Sequence, residues 1–261
     1  MSASTLVLRL DAPMMSFGGV TVDSRHPTLR YPIRSMLAGL LGNALGLDRT
    51  ETDALTALQD SFEYASRWDV EPSPFRDYQN VDLGSVKMSR PAWKSDGTLA
   101  KRAGSDPTGT HQTERHYWSN GVLTCVVQFR DAREAHRIGC ALYRPARPLF
   151  LGRKTCMAAA PIFRGTVDAE QVLAALCAVP VSTQEAMRRG LAESEGTVSL
   201  EFDLPDRLAG LLGDKISRVS DVPGRLDAFS RVHLGQERRL QAVFEVPVAL
   251  ALPLNYEEFA A

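Results

Sequence analysis

The sequence predicts an α+β fold, and three features of it carry that prediction. Through residue 167 the apolar pattern switches between period 2 and period 3.6 in the order strand–helix–strand–strand–helix–strand. That is the order of a ferredoxin-like or RRM-like domain. Within it, residues 84–114 hold Lys87, Arg90, Lys94, Lys101 and Arg102 with one aromatic, Trp93, and hardly any core-forming residue. So long a segment inside a domain is either disordered or functional, and it reads as a protruding basic thumb hairpin. Residues 168–261 add strand patterns at Thr197–Leu204 and Leu240–Leu252, a small β-rich C-terminal extension that completes or flanks the domain of residues 1–167.

The elements follow in order. Thr5–Leu10 is a buried strand interrupted only by Arg9. The glycine-containing turn after it, 12–19, has neither GxxxxGK[ST] nor GxGxxG spacing, so it is not a phosphate loop of those kinds. Ile33, Met36, Leu37, Leu40, Leu41, Ala44 and Leu45 mark one face of a helix, with Pro32 suited to its first position and Gly46 to its stop. Gly39 and Gly42 inside that helix each cost roughly 1 kcal/mol against alanine, so close approach of another backbone is expected to compensate. Thr50 caps a second helix over Glu51–Asp60. Phe62–Val70 and Arg76–Leu83 are strands around the turn Glu71-Pro-Ser-Pro74. Gly121–Phe129 alternates, with Leu123, Cys125, Val127 and Phe129 on one face. Asp131 caps a helix carrying Ala135, Ile138 and Leu142, which Pro145 and Pro148 end, and Ile162–Val167 is a strand. Val172, Leu173 and Leu176 share a helical face, a further helix runs over Thr183–Glu193, and the arginine-bearing stretch from Leu204 to Leu240 reads as irregular.

Composition narrows the function. A chain of 261 residues buries a sizeable core without staples. The longest apolar run, Val246–Leu254, is short and carries two prolines, so no membrane span is expected. The N-terminus has no basic start and is interrupted by Arg9 and Asp11, unlike a secretory signal. Cys125, Cys140, Cys156 and Cys177 form no CxxC pair and read as small core residues of a cytoplasmic protein. The net charge of −1 hides a basic middle: between Leu83 and Arg164 there are 14 Lys+Arg against 5 Asp+Glu, and elsewhere 16 against 26. A basic segment in an otherwise acidic chain suits a polyanion.

Three clusters carry the candidate chemistry. The helix starting at Pro32 offers unpaired N–H groups, a positive dipole end, Arg34 and Ser35, a phosphate site in kind. In the turn Gly152-Arg153-Lys154-Thr155, glycine admits a close backbone and two cations with a hydroxyl grip phosphates. The thumb supplies Arg90, Lys94, Lys101 and Arg102 for phosphates and Trp93 for base stacking. Together with the sheet topology these suit single-stranded RNA. No histidine, cysteine or carboxylate spacing matches a metal or cofactor motif, and no catalytic motif is present. His116-Tyr117 beside Arg115, with Lys154, leaves open a metal-independent cleavage of RNA: a base on the 2′-hydroxyl and a lysine on the pentacoordinate phosphate.

These residues resemble a known family. A strand followed by Ala12-Pro-Met-Met-Ser-Phe-Gly18 stands where the family has a GPxQSWG-like turn. Arg25 and Thr28 precede Pro32-Ile-Arg-Ser-Met-Leu-Ala-Gly-Leu-Leu-Gly-Asn-Ala-Leu-Gly46, similar to a PTKSAxxGLLGAALG-like helix. Asp77-Tyr-Gln-Asn-Val81 matches DYxxV, Arg115-His-Tyr-Trp118 an REYL-like strand entry, and Leu151-Gly-Arg-Lys-Thr-Cys-Met-Ala-Ala-Ala-Pro161 an LGRKSCxPxxP element. In this order the set resembles the CasD family, the fifth-family Cas subunits of the type I-E CRISPR surveillance complex Cascade, within the RAMP superfamily. The chain departs from it at Ala12, Met15 and Phe17, where the family tends to glycine, glutamine and tryptophan; Arg34 for lysine and Thr155 for serine preserve the chemistry. The last third matches loosely, through Arg238-Arg239 before an apolar strand.

The resemblance implies a non-catalytic subunit without cofactor or metal that caps one end of Cascade and holds the 5′ handle of the CRISPR RNA. Its thumb would lie over the RNA beside a CasC-like backbone subunit, and a CasA-like large subunit would dock alongside. Target DNA would be met only through the complex. The RNA-binding residues it implies are Arg25, Arg34 and Ser35, then Gly152, Arg153 and Lys154, then Arg90, Trp93, Lys94, Lys101 and Arg102, with Arg115 at the strand entry. The alternative is a metal-independent endoribonuclease processing pre-crRNA, as in type I-C relatives. A third reading is a scaffold gripping only protein neighbours.

Overall fold

A computed structural model describes residues 3–21, 23–82, 110–190, 196–227, 229–230 and 232–249. In chain order, strand β1 (Ala3–Asp11) leads through short β2 (Met14–Met15) and β3 (Arg25–His26) into helices α1 (Arg34–Leu45) and α2 (Thr52–Ser61). Next come β4 (Phe62–Val70), β5 (Ser73–Asp82), β6 (Thr110–Ser119) and β7 (Val122–Phe129), then α3 (Ala132–Tyr143) and β8 (Phe163–Ala169). The remainder holds α4 (Val172–Ala178), β9 (Val181–Ser182), α5 (Thr183–Arg188), β10 (Thr197–Pro205), α6 (Ala209–Leu212), β11 (Ile216–Leu226) and β12 (His233–Ala249).

The larger sheet has the order β11-β12-β10-β4-β7-β1-β8 with antiparallel neighbours, and β9 adds to β12 in parallel. Both of its faces are covered, which the alternation in β1 explains. Leu6, Leu8 and Leu10 join a core with Leu37 and Leu41 of α1 and Ala135 and Ile138 of α3. Val7 points the other way, into a second core with Val172 and Leu176 of α4 and Phe202 of β10. Strand β7 lies centrally and is buried at all its positions, so it reads as an apolar run rather than a half-exposed strand. A smaller sheet is built on β6, flanked by β2 and β3 and paired along its length with β5, from Ser73↔Ser119 to Asp82↔Thr110. That pair projects towards residues 83–109, and Arg90, Trp93, Lys94, Lys101 and Arg102 lie outside the described residues.

Two expectations are corrected. The stretch read as irregular is a long hairpin, β11 and β12. Its edge strand β11 is mostly exposed and carries Pro223 and Gly224, so no apolar period marks it; its ladder to β12 holds it instead. Helix α5 ends at Arg188 rather than extending to 193, and its start is fixed by a capping box between Ser182 and Glu185. No helix among the described residues is long and apolar enough to cross a membrane. All four cysteines are free, and burial pushes the Cys125 thiol up to about 12, which keeps it inert.

Buried arginines tie the C-terminal strands and helices to the sheet. Arg67 of β4 is inaccessible to solvent; it donates to Asp69 (2.7 Å) and to the carbonyls of Leu176 and Val179, which are the orphan acceptors at the end of α4. Arg239 of β12 is equally buried. It reaches Asp203 Oδ2 through Nε (2.9 Å) and the Tyr64 carbonyl through Nη2 (3.2 Å), with its guanidinium 4.0 Å from the Tyr64 ring centroid. Burial pushes the Asp203 carboxyl upward and Arg239 opposes that shift. Removing one member of such a pair strands the other charge, a loss of about 3–5 kcal/mol. Arg239→Ala is therefore expected to lower the urea midpoint by that much stability; a loss under about 1 kcal/mol in urea denaturation would contradict the role given to this pair.

Candidate nucleic-acid interface

Three segments distant in sequence dock to form one cleft. The turn at 150–157 folds on itself through Leu151 N–H to Cys156 O and Cys156 N–H to Arg153 O, both 2.8 Å. It then packs against the turn at 12–19, where Ser16 N–H donates to Leu151 O (3.0 Å). Gly152 sits at φ +98°, and a Cβ there would lie 1.6 Å from the Ser16 carbonyl oxygen. Only glycine satisfies both demands. The 12–19 turn is in turn zipped to the segment before α1, by Phe17 N–H to Thr28 Oγ1 (2.9 Å) and Leu29 N–H to Gly18 O (2.8 Å). Met15 and Phe17 are wholly buried and Ala12 nearly so, so all three departures from the family turn face the core.

Arg153 fastens this assembly to the β6 sheet. Its Nη1 donates to His116 O (2.9 Å), its Nη2 to His26 O (2.9 Å) and Pro27 O (3.4 Å), and its guanidinium lies 4.6 Å from the Tyr117 ring centroid. A planar fork with five donors suits that role, where a lysine would satisfy one carbonyl at a time.

The resulting cleft has a volume of about 560 Å³. It is lined by the stripe Ser35, Gly39 and Asn43 of α1, residues four apart on one helical face, and by Gly152, Arg153 and Lys154. His26 and His233 also border it, and none of the described residues lining it is a carboxylate. No side chain caps the start of α1, and its first turn contains no acidic residue, so the helix itself supplies no negative charge at its positive end. Lys154 is exposed at the rim. The arrangement presents backbone donors, a hydroxyl, an amide and two cations to one volume, which is the chemistry that holds phosphates while leaving room for sugars and bases.

Ser35, Gly152, Arg153 and Lys154 are thus brought together as the sequence suggested. Arg34 is not. Its guanidinium turns away from the cleft, donating to Glu237 (2.9 and 3.1 Å) and to the carbonyls of Gln59 (3.0 Å) and Phe62 (2.7 Å). The reason is that β12 passes beside the helix start and offers Glu237, itself shared with Arg239. Arg25 is largely exposed on β3, 3.4 Å from Glu114, and Arg115 donates to Gln79 Oε1 (2.8 Å) across the β5–β6 ladder; neither lines the cleft. The trio suggested for RNA cleavage is dispersed. Tyr117 is buried beneath Arg153, while His116, its strand neighbour, points to the other face beside Glu114. The basic middle is divided as well: Arg147 caps the end of α1 at Gly46 O and Leu47 O, and Arg137 pairs with Glu134. Ser35 was read from the sequence as a helix-start residue; its sharing of a face with Gly39 and Asn43, and the contribution of His233 from the far end of the chain, were not.

The fold is of the mixed α+β class, with a mostly antiparallel sheet. A chain of a solved "CRISPR RNA-guided surveillance complex" is similar over 94% of this chain and 93% of its own, with TM-score 0.69 and 25% identity. A solved "Cas protein" shares the fold with TM-score 0.56 and 21% identity, over 93% of this chain and 95% of that one. The chain belongs to the family described as "CRISPR-associated protein (Cas_Cas5)", whose model matches residues 5–233. The "CRISPR system Cascade subunit CasD" of Escherichia coli (strain K12) is 33% identical over 183 residues, 66% of this chain and 75% of that protein.

Gly152→Ala is expected to separate the two turns, costing about 1–3 kcal/mol from overpacking and opening the cleft. Its checks are chemical denaturation together with amide exchange at Ser16, whose N–H would lose protection. Unchanged protection would show that the docking of the turns does not depend on that contact.

Proposed function

We propose that this protein is the non-catalytic CRISPR RNA-binding subunit of a type I-E Cascade surveillance complex and that its cleft grips the 5′ handle. The observation that carries this reading is the cleft itself: two cations, an uncapped helix start and no carboxylate among the described lining residues. In it the N–H groups at the start of α1, Ser35 and Lys154 hold phosphates, while Arg153 keeps the wall in place. The family and the similarity to CasD support membership in the complex. A CasA-like large subunit and a CasC-like backbone subunit are the neighbours we propose, with target DNA met only through the assembly. The order β4-β7-β1-β8, with α1 between β1 and β4 and α3 between β7 and β8, supports the ferredoxin-like reading of residues 1–167. The ladder of β5 and β6 supports a thumb over 84–114 that brings Arg90, Trp93, Lys94, Lys101 and Arg102 to the RNA.

Gly39 gives independent support. Gly42 is accounted for within the chain, because a Cβ there would press on Leu55 Cδ2 at 3.0 Å. Gly39 has nothing within 4 Å, is exposed, and lines the cleft, yet it sits in a helix interior where glycine costs roughly 1 kcal/mol. A ligand that approaches the helix backbone closely supplies the missing reason.

Purified protein with labelled repeat RNA in EDTA tests the reading: a salt-sensitive shift of intact RNA is expected, and defined cleavage would favour the nuclease instead. Lys154→Ala is expected to weaken binding about tenfold and to lower the log–log salt slope by about 0.7, one single-strand phosphate contact. Unchanged affinity and slope would contradict the assignment of Lys154. Gly39→Ala is expected to act in opposite directions, raising stability by up to about 1 kcal/mol while weakening RNA binding. Improvement of both in parallel melting and binding titrations would remove Gly39 from the interface.

A further inference from the structure

The cleft continues into a part of the chain that the family motifs leave aside. His233, the first residue of β12, lines the cleft, and its Nδ1–H donates to Gly224 O (3.0 Å) on β11. The carbonyl has no proton to give, so the ring is tied to the hairpin and carries the hairpin's position into the cleft wall. The hairpin is in turn anchored beside α1 by α2. Gln59, buried, exchanges two 2.9 Å hydrogen bonds with the Leu226 backbone, and Arg225 pairs with Asp60.

Beyond this anchor the described residues of the hairpin tip present an apolar surface. Asp227 accepts from Phe229 N–H (2.9 Å) and Ser230 Oγ–H (2.7 Å), and Asp227 N–H donates to Val232 O (2.8 Å). These bonds hold Phe229 86% exposed, with Val232 and Leu234 also exposed beside it. An exposed aromatic whose backbone N–H is held by Asp227, a few residues from a cleft wall, has the form of a stacking platform with an open π-face.

We propose that the β11–β12 tip is a second RNA-contacting element, in which Phe229 stacks on a nucleobase of the strand where it leaves the cleft past His233. The proposal rests on the RNA-binding reading above. It assigns to Phe229 a sequence-tolerant contact, because every base presents a π-face. Among surfaces for an apolar tip, RNA is favoured over a protein neighbour by continuity: the residue that begins β12 already borders the cationic cleft.

The test uses the full-length protein and a series of single-stranded repeat RNAs, each with one 2-aminopurine in place of a base. With wild-type protein, fluorescence at one position near the cleft exit is expected to be quenched on binding. Phe229→Ala is expected to relieve that quenching at that position alone and to weaken binding about 5- to 100-fold, leaving the salt slope unchanged. Phe229→Trp restores the quenching. If the wild type binds RNA and Lys154→Ala weakens it, but Phe229→Ala alters no position, the proposal is overturned while the cleft assignment stands. It is likewise overturned if Phe229→Ala leaves RNA binding intact and instead lowers incorporation into the assembled complex, which would assign the tip to a protein neighbour. If Lys154→Ala has no effect, the cleft assignment itself fails, and this proposal with it.

Discussion

The carbonyl oxygen of Ser16 occupies the space where any side chain at position 152 would have to go. That single contact limits the distance between the 12–19 turn and the 150–157 turn, and the part of the cleft wall built from those two turns depends on it. With the turns closed, Arg153 reaches the carbonyls of His26 and His116, β3 is held to β6, and Lys154 comes to face the stripe of Ser35, Gly39 and Asn43. The cleft is therefore preorganised by backbone geometry and one guanidinium rather than by side chains that must rearrange around a ligand, which lowers the ordering cost of binding.

A division of labour among the cations follows from their chemistry. Arginine, with a flat fork and a permanent charge, is used here as an internal clamp: Arg67 on the end of α4, Arg239 on Asp203, Arg34 between α1 and β12, Arg153 across three segments. Each satisfies backbone carbonyls that would otherwise be stranded at helix or strand ends. Lys154, on a flexible stem at the rim, is exposed and left to meet solvent or a phosphate. Counting basic residues along the chain does not separate these roles, because burial and neighbours do.

That distinction also explains how much was legible beforehand. Several elements of residues 1–167 follow apolar periodicity: α1 spans the residues whose spacing announced it, and Asp131 caps α3 as its position suggested, accepting from Arg133 N–H. By contrast, Thr50 does not cap α2, whose N-cap is Glu51, and β2, β3 and the polar strand β6 carry no such period. The later part of β12 was read as a strand from Leu240, but β11 and the start of β12 were missed because the edge strand is held by a backbone ladder that leaves little trace in side-chain pattern. In the site, Gly152 and Lys154 were legible because a glycine beside cations in a turn has few other uses. The placement of Arg34 away from the cleft was not legible because Glu237, more than two hundred residues away, is invisible to local reading. His233 and Phe229 depend on the same unseen hairpin.

The most direct measurement of the central claim is photocrosslinking of the protein to repeat RNA carrying 4-thiouridine, with the modified peptides identified by mass spectrometry. The account predicts crosslinks on the peptides containing Ser35–Asn43 and Gly152–Lys154, competed by unlabelled repeat RNA. Competed crosslinks confined to other surfaces, such as the α3 face bearing Arg133 and Arg137, with the cleft peptides unmodified, would contradict it.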